Sequence, residues 1–207
     1  TQQFDESDRC LDDPIPFLTC IQLIRNYYLG LSSESTAYRA SYEETLQEFT
    51  KAAVGKGDQK QVRAEIRSDE VLWMDPTALS PLQAIFWEKV AEVQQVLNRR
   101  CFLGLKSFEG HFARYPIGSF YKRHLDQFHA VPHRIVTVIL YLNESWTKAD
   151  GGQLRMYFPQ KDGSERVEDV LPLGGRLVVF LSEEIPHEVL PTLKERISIT
   201  GWLRNIN

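Results

Sequence analysis

The run RISITGWL at residues 196–203 indicates a strand with two chemically different faces. Side chains on a strand point to alternate sides, so the run divides into two sets: Ile197, Ile199 and Leu203 on one face, and Arg196, Ser198, Thr200 and Trp202 on the other. The apolar face must be covered by helices or by a second sheet, which turns the other face toward the interior. A buried arginine without a partner is very costly. The strand therefore predicts an anion beside Arg196, supplied by a protein carboxylate or by a ligand.

Other strand-like runs surround this one from about residue 107 onward. They are EGHFARYP (109–116), RIVTVILYLNE (134–144), GQLRMYF (152–158), EDVLPL (168–173) and RLVVFLS (176–182). Turn signals separate them at Asp150-Gly151-Gly152, Asp162-Gly163 and Gly174-Gly175. Many short strands at close spacing predict an antiparallel sandwich or a jelly-roll barrel, the double-stranded β-helix.

The first half of the chain shows helical patterns instead. Apolar residues recur at helical intervals in 17–31 and 41–49, and Ser80-Pro81 is a typical start for a helix over 82–97. The predicted buried stripe of that last helix is Ile85, Val90, Val93 and Val96/Leu97. Helices packed on one side of the major sheet would complete an α+β domain.

We expect one domain over residues 1–207, with 1–100 mainly helical support and 101–207 the jelly-roll core. The polar, glycine-containing part of the first half, near residues 55–68, predicts a mobile loop. Such a loop is either a solvated connection or a binding loop over a site. The run EVLWM that follows at 70–74 alternates like a strand.

Composition narrows the classes of partner. The chain has 207 residues, a net charge of −4 and a pI of about 5.8, which argues against nucleic acid. No apolar run approaches the roughly 20 residues that a membrane-spanning helix needs. Cys10, Cys20 and Cys101 cannot all pair with one another, which favours a reducing, cytoplasmic setting.

Two histidines and one aspartate form a candidate metal site. His124 and Asp126 lie in YKRHLDQF and point to the same side of an extended chain, and His187 follows the strand-like run RLVVFLS. Two imidazoles and a carboxylate on one face of the metal are typical of a non-haem Fe(II) centre with open positions. The alternative is a chance His-x-Asp pair made of ordinary surface or core residues.

Arg196 has a candidate companion on another strand. Tyr141 shares a face with Ile139 and Thr137 in the run 134–144, and an arginine fork beside a hydroxyl is a good binder for a small carboxylate. An internal pair between Arg196 and a protein acid is the alternative.

From about Lys51 to Asn207 the chain resembles the 2-oxoglutarate- and Fe(II)-dependent dioxygenases. It is more similar to the prolyl hydroxylase domain proteins, which include the animal oxygen-sensing prolyl 4-hydroxylases and bacterial relatives. The motifs that carry the resemblance are IRSDEVLWMD (66–75), ARYPIGSFYKRHLD (113–126), RIVTVILYLNESW (134–146), DGGQLRMYF (150–158) and PHEVLPTLKERISITGW (186–202). The resemblance implies hydroxylation of a prolyl residue in a protein, with release of succinate and CO2. It implies Fe(II), 2-oxoglutarate and O2 as cofactors, with ascorbate (vitamin C) as a candidate stimulant.

The same resemblance implies roles for particular residues. His124, Asp126 and His187 would ligate iron; Arg196 would bind the remote carboxylate of 2-oxoglutarate with Tyr141, and Tyr115 and Thr200 would lie beside the co-substrate. Trp202 and Val189 would line the entrance, Tyr121 and Arg134 would lie near the bound proline, and Arg67 with Asp69 would anchor a mobile finger over the substrate. His111 matches a pocket position that is not a ligand.

Several alternatives stay open at the level of sequence. The same chemistry on free proline, on another residue or on a small molecule is one, and a jelly-roll sensor that holds metal without turnover is another. A cupin-type metalloenzyme that uses no oxo-acid is the third, and it would pair Arg196 with a protein acid. Family membership makes elongation factor Tu, another translation protein or a regulatory transcription-factor peptide candidate substrates.

Overall fold

A computed structural model describes residues 49–52, 63–127 and 132–207. The helices predicted over 17–31 and 41–49 lie outside the described residues, apart from Phe49, and so does most of the loop predicted near 55–68. Among the residues that the structure describes, none of the helical segments combines the length and apolarity needed to cross a bilayer.

Two antiparallel sheets make up most of the described chain. The major sheet has the strand order β1 (Thr50–Lys51), β2 (Glu70–Trp73), β3 (Ser107–Tyr115), β10 (Arg196–Arg204), β5 (Arg134–Tyr141) and β8 (Leu177–Leu181). The minor sheet has the order β4 (Tyr121–His124), β9 (His187–Val189), β6 (Leu154–Pro159) and β7 (Glu165–Val170). Together with the helix Pro81–Cys101, these sheets confirm the predicted α+β jelly-roll. The predicted run 168–173 is shifted, because β7 begins at Glu165 directly after the Asp162-Gly163 turn and ends at Val170.

Helix α1 spans Pro81–Cys101 and begins where the sequence predicts. The Ser80 side chain accepts a hydrogen bond from the Gln83 backbone N–H, and the Gln83 side chain accepts one from the Ser80 backbone N–H. This capping box satisfies two of the N–H groups that a helix start leaves unpaired. Phe102 is the C-cap that follows the helix, and it adopts a left-handed conformation with φ 55°.

One part of the predicted stripe on α1 is wrong. Ile85 is 41% exposed, whereas Phe86 is buried together with Val90, Val93 and Leu97. The spacing 86, 90, 93, 97 keeps the buried residues on one side of the helix, and Ile85 lies beside that stripe.

The main hydrophobic core lies between α1 and the outer face of the major sheet. Ile197, Ile199 and Leu203 of β10 pack there with the buried stripe of α1. The two-faced pattern of residues 196–203 is therefore confirmed: a helix covers its apolar face. The opposite face of β10 lines a pocket through Arg196, Thr200 and Trp202. Residues of the minor sheet also form part of the pocket wall.

Candidate metal centre

His124, Asp126 and His187 converge at one end of the minor sheet. His124 is the last residue of β4, His187 is the first of β9, and the two are paired across the strands. Asp126 follows β4 by two residues; its Oδ1 lies 3.5 Å from His124 Nε2, and its Oδ2 lies 3.5 Å from His187 Nε2. The three potential ligand atoms lie within 4.8 Å of one another, and among the described residues this is the group of acids, histidines and cysteines that could hold a metal ion.

The orientation of both imidazoles is set by backbone carbonyls. His124 Nδ1 lies 2.8 Å from the carbonyl oxygen of Lys122, and His187 Nδ1 lies 3.0 Å from that of Ile185. A carbonyl oxygen only accepts hydrogen bonds, so Nδ1 carries the proton in each ring and Nε2 keeps a free lone pair. This is the usual way in which proteins prepare histidine to bind a metal.

The protonation states also suit a cation. Burial alone would raise the pKa of Asp126, but His187, His124 and a hydrogen bond from Thr137 hold that pKa well below its usual value. Burial, and then the proximity of His124, lowers the pKa of His187 to about 4. At neutral pH the site therefore contains a carboxylate and a neutral His187, which is the form that binds a divalent ion.

Arg196 lies deep in the same pocket and is only 2% exposed. Its Nε donates to the backbone carbonyl of Gly152 over 2.9 Å, and its Cζ lies 4.8 Å and 4.9 Å from the ring centres of Tyr115 and Tyr141. In the part of the chain that the structure describes, no carboxylate forms an ion pair with Arg196. The alternative of an internal arginine–acid pair finds no support among these residues.

Tyr141 adds an unsatisfied hydroxyl group next to this cation. Its side chain is fully buried, and its hydroxyl has no hydrogen-bond partner among the described residues. Burial raises the pKa of Tyr141 despite the opposing charge of Arg196, so the hydroxyl stays protonated and can donate. A buried cation with a donor beside it fits the far carboxylate of an oxo-acid such as 2-oxoglutarate.

The structure places most of the other candidate residues in the wall of the pocket. Those that line it are Arg67, Tyr115, Tyr121, Arg134, Val189, Thr200 and Trp202. Asp69 lies behind the wall, where its carboxylate takes two hydrogen bonds from Arg67, of 2.7 Å and 2.5 Å. Leu125 and Leu154 also form part of the wall, although the sequence alone does not predict this for either residue.

Unlike Arg196, the other two arginines of the pocket, Arg67 and Arg134, are paired with acids and packed on aromatic rings. Arg67 lies 4.2 Å from the ring centre of Tyr121, and Arg134 lies 3.5 Å from that of Trp202. Arg134 also donates to Glu109 over 2.7 Å. The charges of Arg67 and Arg134 are therefore compensated, and these contacts hold the rings of Tyr121 and Trp202 in place.

His111 lines the pocket but lies outside the metal-ligand group. Its ring centre lies 4.8 Å from that of Trp73 and 5.4 Å from that of Trp202, and the two indoles lie 6.1 Å from each other, so the three rings form one cluster. Burial, and then the charges of Arg67 and Arg134, lowers the pKa of His111 to about 3. A neutral imidazole packed against two indoles acts as part of the aromatic wall.

Comparisons with known proteins agree with this geometry. The profile of the 2OG-Fe(II) oxygenase superfamily matches residues 110–204. A crystal structure of a Pseudomonas putida prolyl-4-hydroxylase is 41% identical, with a TM-score of 0.74 over 85% of this chain and 88% of that chain. A Trichoplax adhaerens prolyl hydroxylase in complex with a hypoxia inducible factor peptide fragment, 23% identical with a TM-score of 0.71 over 94% of each chain, shares the fold.

A curated sequence relative extends the comparison to animals. A hypoxia-inducible factor prolyl hydroxylase of Caenorhabditis elegans is 30% identical in an alignment of 152 residues, and the match covers 67% of this chain. The chain spans 20% of the length of that relative. Together with the Pseudomonas putida structure, these matches show that the chain belongs to the 2-oxoglutarate- and Fe(II)-dependent oxygenase superfamily, among relatives of the prolyl hydroxylases.

Proposed function

We propose that the protein is a Fe(II)- and 2-oxoglutarate-dependent dioxygenase that hydroxylates a prolyl residue in a protein substrate and releases succinate and CO2. The observation that carries this proposal is the buried Arg196, which lacks an acidic partner among the described residues and lines the same pocket as His124, Asp126 and His187. The choice of proline is supported by the 41% identity to the Pseudomonas putida prolyl-4-hydroxylase.

In this proposal, His124, Asp126 and His187 hold Fe(II) through the two Nε2 atoms and the carboxylate. Iron, together with O2 and the co-substrate, supplies the oxidising chemistry when it is bound. The residues of this chain contribute position and protonation state: each Nε2 lone pair is free because Nδ1 donates to a carbonyl.

Arg196 would bind the far carboxylate of 2-oxoglutarate and so fix which end of the molecule faces the metal ligands. The Gly152 carbonyl holds the Nε edge of the guanidinium, and the Tyr141 hydroxyl would donate to the same carboxylate. Tyr115 and Thr200 would flank the chain of the co-substrate. Because all of these groups are buried or partly buried, water is largely excluded from the place where the reaction occurs.

The substrate proline would enter between aromatic and aliphatic walls. Tyr121, Trp202 and Val189 offer the flat, apolar surface that a pyrrolidine ring fits, while Arg134 would position the neighbouring peptide. Arg67 and Asp69 would anchor the chain segment that precedes β2. Candidate substrates are elongation factor Tu or another translation or regulatory protein, met in a reducing compartment such as the cytoplasm, where ascorbate would stimulate turnover.

The experiment that tests the proposal supplies Fe(II), 2-oxoglutarate and O2 together with a cell lysate, and follows succinate and proteins that gain one oxygen atom at proline by mass spectrometry. The matched controls are His187→Ala, which removes a proposed ligand, and His133→Ala, which removes a histidine outside the pocket. We expect product with the wild type and His133→Ala and none with His187→Ala. Full turnover by His187→Ala would refute the assignment, and consumption of 2-oxoglutarate with product only on free proline or a small molecule would refute the protein substrate.

A further inference from the structure

Two buried hydroxyl groups lie behind the carboxylate of Asp126. Thr137 Oγ1 lies 2.7 Å from Asp126 Oδ2 and 2.8 Å from Ser182 Oγ. Thr137 lies in β5 and Ser182 directly follows β8, so the two hydroxyls come from two different strand regions of the major sheet. Thr137 and Ser182 are fully buried, at 0% exposure.

The direction of this hydrogen-bond chain is fixed by chemistry. A carboxylate oxygen such as Asp126 Oδ2 only accepts hydrogen bonds. Thr137 must therefore give its single hydroxyl proton to Asp126, and it can then only accept from Ser182. The chain runs from Ser182 to Thr137 to Asp126, and donors in such a series strengthen one another.

Ser182 also holds the backbone that follows Asp126. Its carbonyl accepts from the Gln127 N–H over 3.2 Å, and its own N–H donates to the Ile135 carbonyl over 3.0 Å. The segment that carries Asp126 is therefore attached to the major sheet through both the backbone and the side chain of one residue.

Fixing Oδ2 has a consequence for the number of bonds that Asp126 can make to a metal. A carboxylate that rotates freely can bind an ion with both oxygens, which would occupy one of the positions that the facial arrangement leaves open. Both oxygens lie 3.5 Å from a histidine Nε2, Oδ1 from that of His124 and Oδ2 from that of His187. Because the buried Thr137 hydroxyl already donates to Oδ2, Oδ1 is the oxygen left to bind a metal ion. Oriented second-shell partners of this kind usually tune metal affinity and geometry.

We propose that Thr137 is a positioning residue of the metal site, and that Ser182 supports it, so that Asp126 is presented to a divalent ion through one oxygen. This inference rests on the metal site of the proposed function. A purely structural alternative is that the two hydroxyls only satisfy each other in the interior.

The experiment compares three variants of the full chain by titration with Mn(II) or Co(II) alone, without turnover. Thr137→Val keeps the β-branched shape and removes the hydroxyl, Thr137→Ser keeps the hydroxyl, and Ser182→Ala removes the outer donor. We expect Thr137→Val to weaken metal binding roughly 10- to 100-fold, Ser182→Ala to weaken it less, and Thr137→Ser to bind like the wild type. The visible spectrum of bound Co(II) should change in Thr137→Val, because it reports coordination geometry.

Each outcome has a definite meaning when thermal unfolding of the metal-free proteins is measured alongside. A Thr137→Val protein that melts at a lower temperature but binds metal like the wild type, with an unchanged Co(II) spectrum, overturns the positioning role and leaves the proposed function intact. A wild type that binds neither ion overturns both. Should Thr137→Val fail to fold, Ser182→Ala decides: weaker binding supports the inference, and wild-type binding overturns it.

Discussion

At the scale of single residues, each polar side chain of the site has one atom held by a protein partner and another atom that this partner does not occupy. The backbone carbonyls of Lys122 and Ile185 accept hydrogen bonds from Nδ1 of the two histidines. The Thr137 hydroxyl donates to one oxygen of Asp126, and the Gly152 carbonyl accepts from Nε of Arg196. In each case the remaining atom of the same group is left without that partner and could bind a ligand. Under the proposed function, specificity for a cation and an anion side by side would follow from these contacts rather than from net charge.

Tyr141→Phe tests this at the anion end of the pocket. The change removes one hydroxyl, which has no partner among the described residues, and keeps the buried ring beside Arg196. Loss of one hydrogen bond to a charged group should raise the KM for 2-oxoglutarate roughly 10-fold, with kcat at saturating co-substrate largely kept. Steady-state succinate formation at varied 2-oxoglutarate measures both constants. An unchanged KM would show that the hydroxyl does not contact the co-substrate.

At the scale of elements, the turn before β6 connects the minor sheet to Arg196. Gly152 has φ 65°, and a Cβ added there would lie 2.9 Å from Thr192 Oγ1 and 3.1 Å from the Trp146 ring. Its carbonyl is the group that accepts from Arg196. The turn can place that carbonyl only because position 152 has no side chain.

Gly152→Ala should therefore harm both stability and co-substrate binding. The strained backbone costs about 1–3 kcal/mol, and the displaced carbonyl should raise the KM for 2-oxoglutarate. Gly163→Ala is the matched control, because Gly163 has φ 83° but nothing within 4 Å of an added Cβ and lies in the β6–β7 turn. Thermal unfolding and KM are measured for both. Equal effects in the two variants would show that backbone strain alone, and not the contact with Arg196, is responsible.

Arg67→Ala tests the segment that leads into β2. Arg67 pairs with the fully buried Asp69 carboxylate and packs on Tyr121 at the pocket wall. We expect weaker binding of a proline-containing peptide, while 2-oxoglutarate consumption without peptide is retained, since Arg67 touches neither Arg196 nor the metal group. Removing one partner of a buried pair also destabilises the fold, so Arg67→Ala/Asp69→Asn is the control that removes the stranded charge. Equal loss of coupled and uncoupled turnover in both variants would contradict a role in substrate binding.

The elements differ in how far the sequence could predict them. The start of α1 was predictable because Ser80, Pro81 and Gln83 act within one turn, and the two faces of β10 were predictable from alternation alone. The prediction for Ile85 is wrong because Ile85 and Phe86 are adjacent apolar residues, and the pattern alone does not show which of the two belongs to the buried stripe. The contacts of Thr137 with Asp126 and of Arg196 with Gly152 join separate strands and turns. They could not be predicted, because the periodicity of one segment does not show which strands become its neighbours.

At the scale of the whole molecule, one sheet serves two purposes. Its outer face packs on α1 and forms the main core, which holds β3, β10 and β5 rigidly in register. Its inner face, closed by the minor sheet, encloses polar groups that are largely removed from water. That same burial shifts the pKa of several of these groups, so the construction of the pocket should appear in the stability of the entire protein.

His111 provides the cleanest test, because it lies outside the metal-ligand group and its neutral form is buried. Its pKa falls from the ordinary value of 6.5 to about 3, through burial and the charges of Arg67 and Arg134, against the opposing charge of Asp126. Below pH 6.5 the unfolded chain binds a proton at this residue, whereas the folded protein does not until about pH 3. Stability must therefore fall as pH decreases through this window, by about 2 kcal/mol at roughly pH 5 from His111 alone.

We expect His111→Gln to remove this contribution, so that the melting temperature of the metal-free variant falls less between neutral pH and roughly pH 5 than that of the wild type. Some acid sensitivity should remain, because the pKa of His187 is lowered to about 4 and acts in the same direction. Thermal unfolding over a series of pH values, compared through its slope and not its absolute height, separates this effect from any general loss of packing between Trp73 and Trp202. Parallel pH profiles for the two proteins would mean that His111 is protonated as easily in the folded state as in the unfolded chain, and that the pocket is wet where the structure places a dry aromatic wall.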